Sequence, residues 1–174
     1  MGAIVLADET KQRGYQLVAV SVGSSSEVAH LRAVVRGLVL SGQARLHMKK
    51  ESEPRKRLVA SAIVATGYTA VVYNAGRSRR TELEARAACL SALVDDLAGT
   101  AAPLLVLEQD DSLLSWDRQR LVELSRTYPG LRYEHRRARE EPALAIPDAI
   151  AWCWAKGGDW RRRIAPAVSQ VRLV

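Results

Sequence analysis

Carboxylates at the ends of apolar runs carry the chemistry legible in this chain. Asp8 and Glu9 close the run AIVLA, Glu108, Asp110 and Asp111 close PLLVLE, and Asp148 stands beside Pro147 at the head of IPDAIAWCWAK. Parallel strands of one sheet bring their carboxyl ends to a common edge, where α/β proteins bind ligands. Separated acids that converge there suit a hard divalent cation, Mg²⁺ or Mn²⁺, which takes oxygen ligands and keeps several waters. Carboxylates offset the cation's charge, whereas His or Cys would select a softer metal. Two such ions about 3.5–4 Å apart activate a water and stabilise the leaving oxygen of a phosphodiester. The expected ligands are therefore Asp8, Glu108 and Asp148, with Glu9 and Asp110 or Asp111 beside them. The same acids have ordinary uses: Glu108 to Asp111 suit a turn and helix cap, and Asp148 suits the positive end of a helix dipole.

Basic residues gather near these acids in sequence order. Arg45, Lys49, Lys50, Arg55, Lys56 and Arg57 surround one predicted strand and its following helix, and Arg77, Arg79 and Arg80 lie in the loop after another. RRAREE at 136–141 and RRR at 161–163 add to them. Groups of this kind contact phosphates and position a nucleic acid without reading its sequence, although a solvated charged face is their commoner use. Tyr73, Tyr133 and Trp116 could stack on bases, with packing the commoner use. Trp152 and Trp154 fit helix packing.

The elements that must position these groups follow from periodicity. Apolar runs predict strands at 3–7, 15–22, 69–74, 103–108 and 131–135, with a weak one closing the chain at 168–174. ARLHMK at 44–49 alternates and predicts a further strand. Helical spacing covers 26–40, 53–65, 80–97, 113–127, 146–156 and 158–165. Ser24 to Ser26 read as a helix entrance with Glu27 in its first turn. Neighbouring strands open the chain and βαβ units follow. The expected fold is α/β, one mixed sheet with antiparallel opening strands and helices on both faces.

Composition agrees with a globular chain of one domain spanning 1–174: 174 residues, 48% hydrophobic and 26% charged. The net charge is +7, carried by 26 Lys and Arg, so nucleic acid is an expected partner, although Arg-rich usage also follows from a GC-rich genome. No apolar run reaches the roughly 20 residues of a membrane helix. The segment before Asp8 is too short for a signal peptide's apolar core. Cys89 and Cys153 read as reduced core thiols of a cytoplasmic protein.

Taken in order, AIVLADET…YQLVAVSV, ARLHMKKESEPRKRLVASAI, LLVLEQDD and ALAIPDAIAWCW resemble the RNase H-like proteins of the domain-of-unknown-function 3800 family. The likeness runs over roughly residues 3–156. It implies an RNase H-like fold with a metal-binding acidic cluster. Asp8 matches that family's first-strand acid, Glu9 the second acid of the opening pair, His47 the His of the middle strand, Glu108 the late-strand acid and Asp148 the acid of the final core helix. The chain departs from the pattern where Thr10-Lys11 replaces Ser-Gly and where Glu108 replaces Asp. RNase H carries a further acid on the helix after its third strand, for which Glu51 and Glu53 are the candidates here, and no acid follows TAVVYN.

The expectation is a Mg²⁺- or Mn²⁺-dependent nuclease or phosphodiester-processing enzyme, with His47 moving a proton or contacting phosphate and Lys49 neutralising charge. The alternative is a catalytically inactive module of the same fold that binds nucleic acid or a protein. A homodimer through an apolar helix such as 80–97 is a further possibility.

Overall fold

The structure is a computed structural model that describes residues 2–77 and 81–174. Six strands form one sheet: β1 (Ile4–Thr10), β2 (Tyr15–Val22), β3 (Ala70–Gly76), β4 (Leu104–Glu108), β5 (Arg132–Arg136) and β6 (Val168–Leu173), in the order β5-β4-β1-β2-β3-β6. The β1–β2 hairpin is antiparallel, with Ile4 opposite Val22 and Thr10 opposite Gln16. β3 is antiparallel to β2, while β4, β5 and β6 each run parallel to their sheet neighbours. Every strand except β2 therefore ends at the same edge.

Among the described residues six α-helices cover this sheet: α1 (Ser25–Leu38), α2 (Glu53–Ala65), α3 (Glu82–Asp96), α4 (Leu114–Thr127), α5 (Ala145–Lys156) and α6 (Gly158–Ile164). Alternation along β1 sorts them into two layers. Leu6 packs in the core shared with Val28, Ile63 and Ile150 of α1, α2 and α5. Val5 and Ala7 pack in the opposite core with Leu90 of α3 and Leu121 of α4. The mixed sheet with helices on both faces is the α/β fold expected from the sequence.

Local chemistry explains several boundaries. Ser24 caps α1 by accepting from the Glu27 backbone N–H at 3.3 Å. Thr81 and Glu84 form a reciprocal capping box at the start of α3. The bidentate pair of Arg32 with Glu141, at 2.9 and 2.5 Å, ties α1 to the short 3-10 turn Pro142–Leu144 that leads into α5. That turn fixes the first turn of α5, which carries Asp148.

Two expectations are corrected. Residues 44–49 do not form a strand: Arg45 to His47 are irregular and Met48–Lys50 is a 3-10 turn. Leu46 and Met48 are buried while Arg45 and His47 are half-buried, so the alternation is real. It belongs to an extended loop crossing the edge of the fold, anchored by side chains rather than by a sheet neighbour. The helix expected as an exposed dimer surface is α3, and its apolar residues Ala85, Cys89, Leu90 and Leu93 are buried. Both cysteines are buried in the core, as expected, and burial pushes the Cys153 thiol up to about 12.

Candidate active site

The β1–β4 register builds the centre of the site. Ala7 pairs with Leu107 in parallel, so Asp8 and Glu108 follow as neighbours at the strand ends. Both lie on the face that carries α5. Asp148, in the first turn of α5, faces them from that layer. Burial, then the carboxylates of Glu108 and Asp148, push Asp8 well above the usual carboxylate range, and Asp8 and Glu108 are within hydrogen-bonding reach. Asp8 is 7% exposed. Its Oδ1 accepts the Glu9 backbone N–H at 2.8 Å, and no cationic side chain among the described residues pairs with it.

The other two carboxylates have partners. Asp148 Oδ2 accepts the Met48 backbone N–H at 3.0 Å and lies 3.3 Å from His47 Nδ1. These contacts anchor the 44–50 loop over the strand ends. Arg45, from the same loop, donates to Glu108 Oε1 at 3.0 Å. The loop thus places His47 beside one acid and Arg45 beside another. A cavity of about 750 Å³ opens on the group, with His47, Lys49, Gln109 and Trp152 in its walls. Trp152 stands four residues after Asp148, one helical turn along the same face of α5.

Glu9 follows Asp8 on the strand, so its side chain turns to the α3 layer. There Arg86 donates to Glu9 Oε2 at 2.5 Å and to the Tyr15 hydroxyl at 2.8 Å. Arg86 is fully buried and also forks onto Asp117, with both bonds at 2.7 Å. His135 Nε2 lies 3.1 Å from Asp117 Oδ2. Burial alone would lower the Arg86 pKa, but Asp117 and Glu9 hold it well above its usual value.

Asp110 accepts the Ser112 N–H and hydroxyl at 2.9 and 2.6 Å, the local turn role open to it from the sequence. Asp111 pairs with Arg137 at 2.9 Å. Glu51 is buried against Gln43 and Arg55, and Glu53 is paired with Lys56, so neither joins the carboxylates. Arg55 is committed to Glu51 and to the Leu38 carbonyl. Tyr73 is buried and donates to Asp96. Lys49 and Lys50 are exposed, with Lys49 in the cavity wall. Arg77 is exposed in the turn after β3, and Arg79 and Arg80 lie outside the described residues.

Sequence reasoning missed the pairing of Arg45 with Glu108, the role of Arg86 and the place of Trp152. Only Trp152 had a signal, its spacing from Asp148. The donors around Asp8 are carboxylates, as a hard cation requires. Among the described residues no three His, Cys, Asp or Glu side chains already enclose an ion-sized point. The reason is visible in the geometry: Glu108 is drawn to Arg45, and Asp148 to the 44–50 loop.

The strand order and the antiparallel opening pair give a mixed α/β sheet of RNase H-like kind. Among solved structures the chain is similar to RNase HII of Archaeoglobus fulgidus, determined in complex with PCNA. The TM-score is 0.58 at 16% identity, over 88% of this chain and 72% of that one. No family model and no curated protein matches the chain. Among the described residues no helix is long and apolar enough to cross a membrane.

Proposed function

We propose that this chain is a single-domain, divalent-metal-dependent nuclease whose centre is Asp8, Glu108 and Asp148. One observation carries the reading: a buried carboxylate, Asp8, faces two further carboxylates at the strand edge without a cationic partner among the described residues. Folding concentrates like charge there at a cost, and a bound cation removes that cost. The likeness to an archaeal RNase HII supports the fold of such an enzyme, and the motif order supports kinship with the domain-of-unknown-function 3800 family.

In this reading Asp8, Glu108 and Asp148 hold Mg²⁺ or Mn²⁺. When bound, the metal supplies charge neutralisation at the phosphate and an activated water. Asp148 orients His47 through Nδ1, leaving the rest of the ring to contact phosphate or carry a proton. Lys49 adds positive charge at the cavity wall, and Trp152 offers an aromatic surface beside the acids. Glu9 holds the end of β1 through Arg86 and acts as a positioning residue. Asp110 shapes the turn after Glu108.

The second reading, an inactive binding module, rests on a specific observation. Because 44–49 is a loop, the third strand is β3 and the helix after it is α3. The acids of that helix, Glu82, Glu84, Asp95 and Asp96, are exposed, and its buried charged residue is Arg86, so no acid of α3 is buried beside Asp8. A cleavage screen separates the two readings. Single-stranded DNA, single-stranded RNA and a hybrid duplex are incubated with the wild type, Asp8→Asn and Asp148→Asn in Mn²⁺. Cleavage that both substitutions abolish supports the enzyme. Binding without cleavage supports the module.

A further inference from the structure

The cavity at the carboxylates adjoins two others, and the three in a row form a segmented channel. The first shares Glu108 and Gln109 with a second cavity of about 310 Å³. That one shares Arg45 and Arg139 with a third of about 390 Å³. The channel runs between the loop after α1 and the loop after β5. Its walls carry Arg45 and Arg137 in the middle and Arg36 and Arg139 at the far end. Glu108, Asp111 and Glu140 also face it or flank it. Arg45 is paired with Glu108, and Arg137 with Asp111. Arg36 and Arg139 are exposed and have no carboxylate partner among the described residues.

We infer that this channel is a phosphate track for one extended nucleic-acid strand, leading from the acidic centre past Arg45 and Arg137 to Arg36 and Arg139. The inference rests on the proposed nuclease reading for what lies at its head, but its binding chemistry is independent of metal. Arginine forks match phosphate oxygens, and a line of them follows a backbone without reading bases. A crevice between two loops, with successive cavities of a few hundred cubic ångströms, admits a single strand. A duplex needs a broad open face instead. The paired arginines keep part of the channel electrically balanced when empty. Phosphates then exchange with Asp111 and Glu108 for the same guanidinium groups.

The test is fluorescence anisotropy in EDTA, with a fluorescein-labelled 12-nucleotide thymidine strand and a 12-base-pair duplex, on the wild type and Arg36→Gln/Arg139→Gln. The wild type should prefer the strand. The double variant should bind it roughly tenfold more weakly, with a salt slope smaller by about 1.4, two phosphate contacts at about 0.7 each. Mn²⁺ affinity of the variant should equal that of the wild type. Tighter binding of duplex than strand, no strand binding by the wild type, or an unchanged slope in the variant would overturn the inference. Because the assay contains no metal, it stands even if Mn²⁺ binding at Asp8 fails.

Discussion

Asp8 and Glu9 are consecutive residues whose carboxylates serve opposite layers of the molecule: Asp8 meets Glu108 and Asp148 on the α5 side, and Glu9 meets Arg86 on the α3 side. Strand alternation makes this unavoidable. One carboxylate is left without a cation, and its neighbour is given a buried one. The pair thus divides into a ligand candidate and an anchor for the strand end that bears it.

Removing the charge of Asp8 should therefore stabilise the metal-free protein. Asp8→Asn relieves repulsion with Glu108 and Asp148 and a burial cost. An increase of roughly 1 kcal/mol in EDTA is expected, within the range seen when strained functional sites are relaxed. Urea unfolding of the two proteins measures it. A loss of stability would show that Asp8 is held by favourable contacts instead.

Arg86→Met should be severely destabilising, by about 3–5 kcal/mol, because it leaves buried Asp117 and half-buried Glu9 without this cation. Arg86→Lys should recover only part, since an ammonium cannot reproduce the fork onto Asp117. Denaturant midpoints at neutral pH report both. Near-wild-type stability of Arg86→Met would remove Arg86 as the anchor.

Asp117 also sets an acid limit. Burial alone would raise its pKa, but hydrogen bonds from His135 and Arg86 hold it below the usual carboxylate range. The folded value lies under the unfolded one, so its contribution is present above about pH 4 and is lost as pH falls through the folded value. Asp117→Asn should lower stability at neutral pH and flatten the decline in acid. Unfolding free energies across a pH series check this, and parallel curves for the two proteins would contradict it.

Arg45 competes for Glu108. In Arg45→Ala the carboxylate is free to turn toward a cation, and Mn²⁺ should bind about two- to fivefold more tightly, the worth of a partly exposed ion pair. Strand binding should weaken in the same variant, because a phosphate contact is lost. Calorimetry and anisotropy read the two effects separately. Weaker Mn²⁺ binding would show that Arg45 orients Glu108 for the metal.

Much of this architecture is legible from local pattern. The apolar runs ending at Asp8 and Glu108 are strands, and α2 spans the expected residues 53–65. Asp148 stands in the first turn of α5, as the sequence implies. Residues 44–49 misled because burial alternates in an extended loop as it does in a strand, and only hydrogen-bond partners distinguish them. That error displaced the third strand and drew attention to Glu51 and Glu53 instead of Arg86. The pairing of Glu9 with Arg86, 77 residues apart, has no local signature. The same holds for the channel, whose walls come from loops about 90 residues apart.

The most direct measurement is Mn²⁺ titration by calorimetry on the wild type and Asp8→Asn. Saturable binding in the micromolar-to-millimolar range, abolished by the substitution, is the result expected of a carboxylate centre built on Asp8. No binding, or binding that is the same in Asp8→Asn, would contradict it and leave an RNase H-like fold used for binding alone.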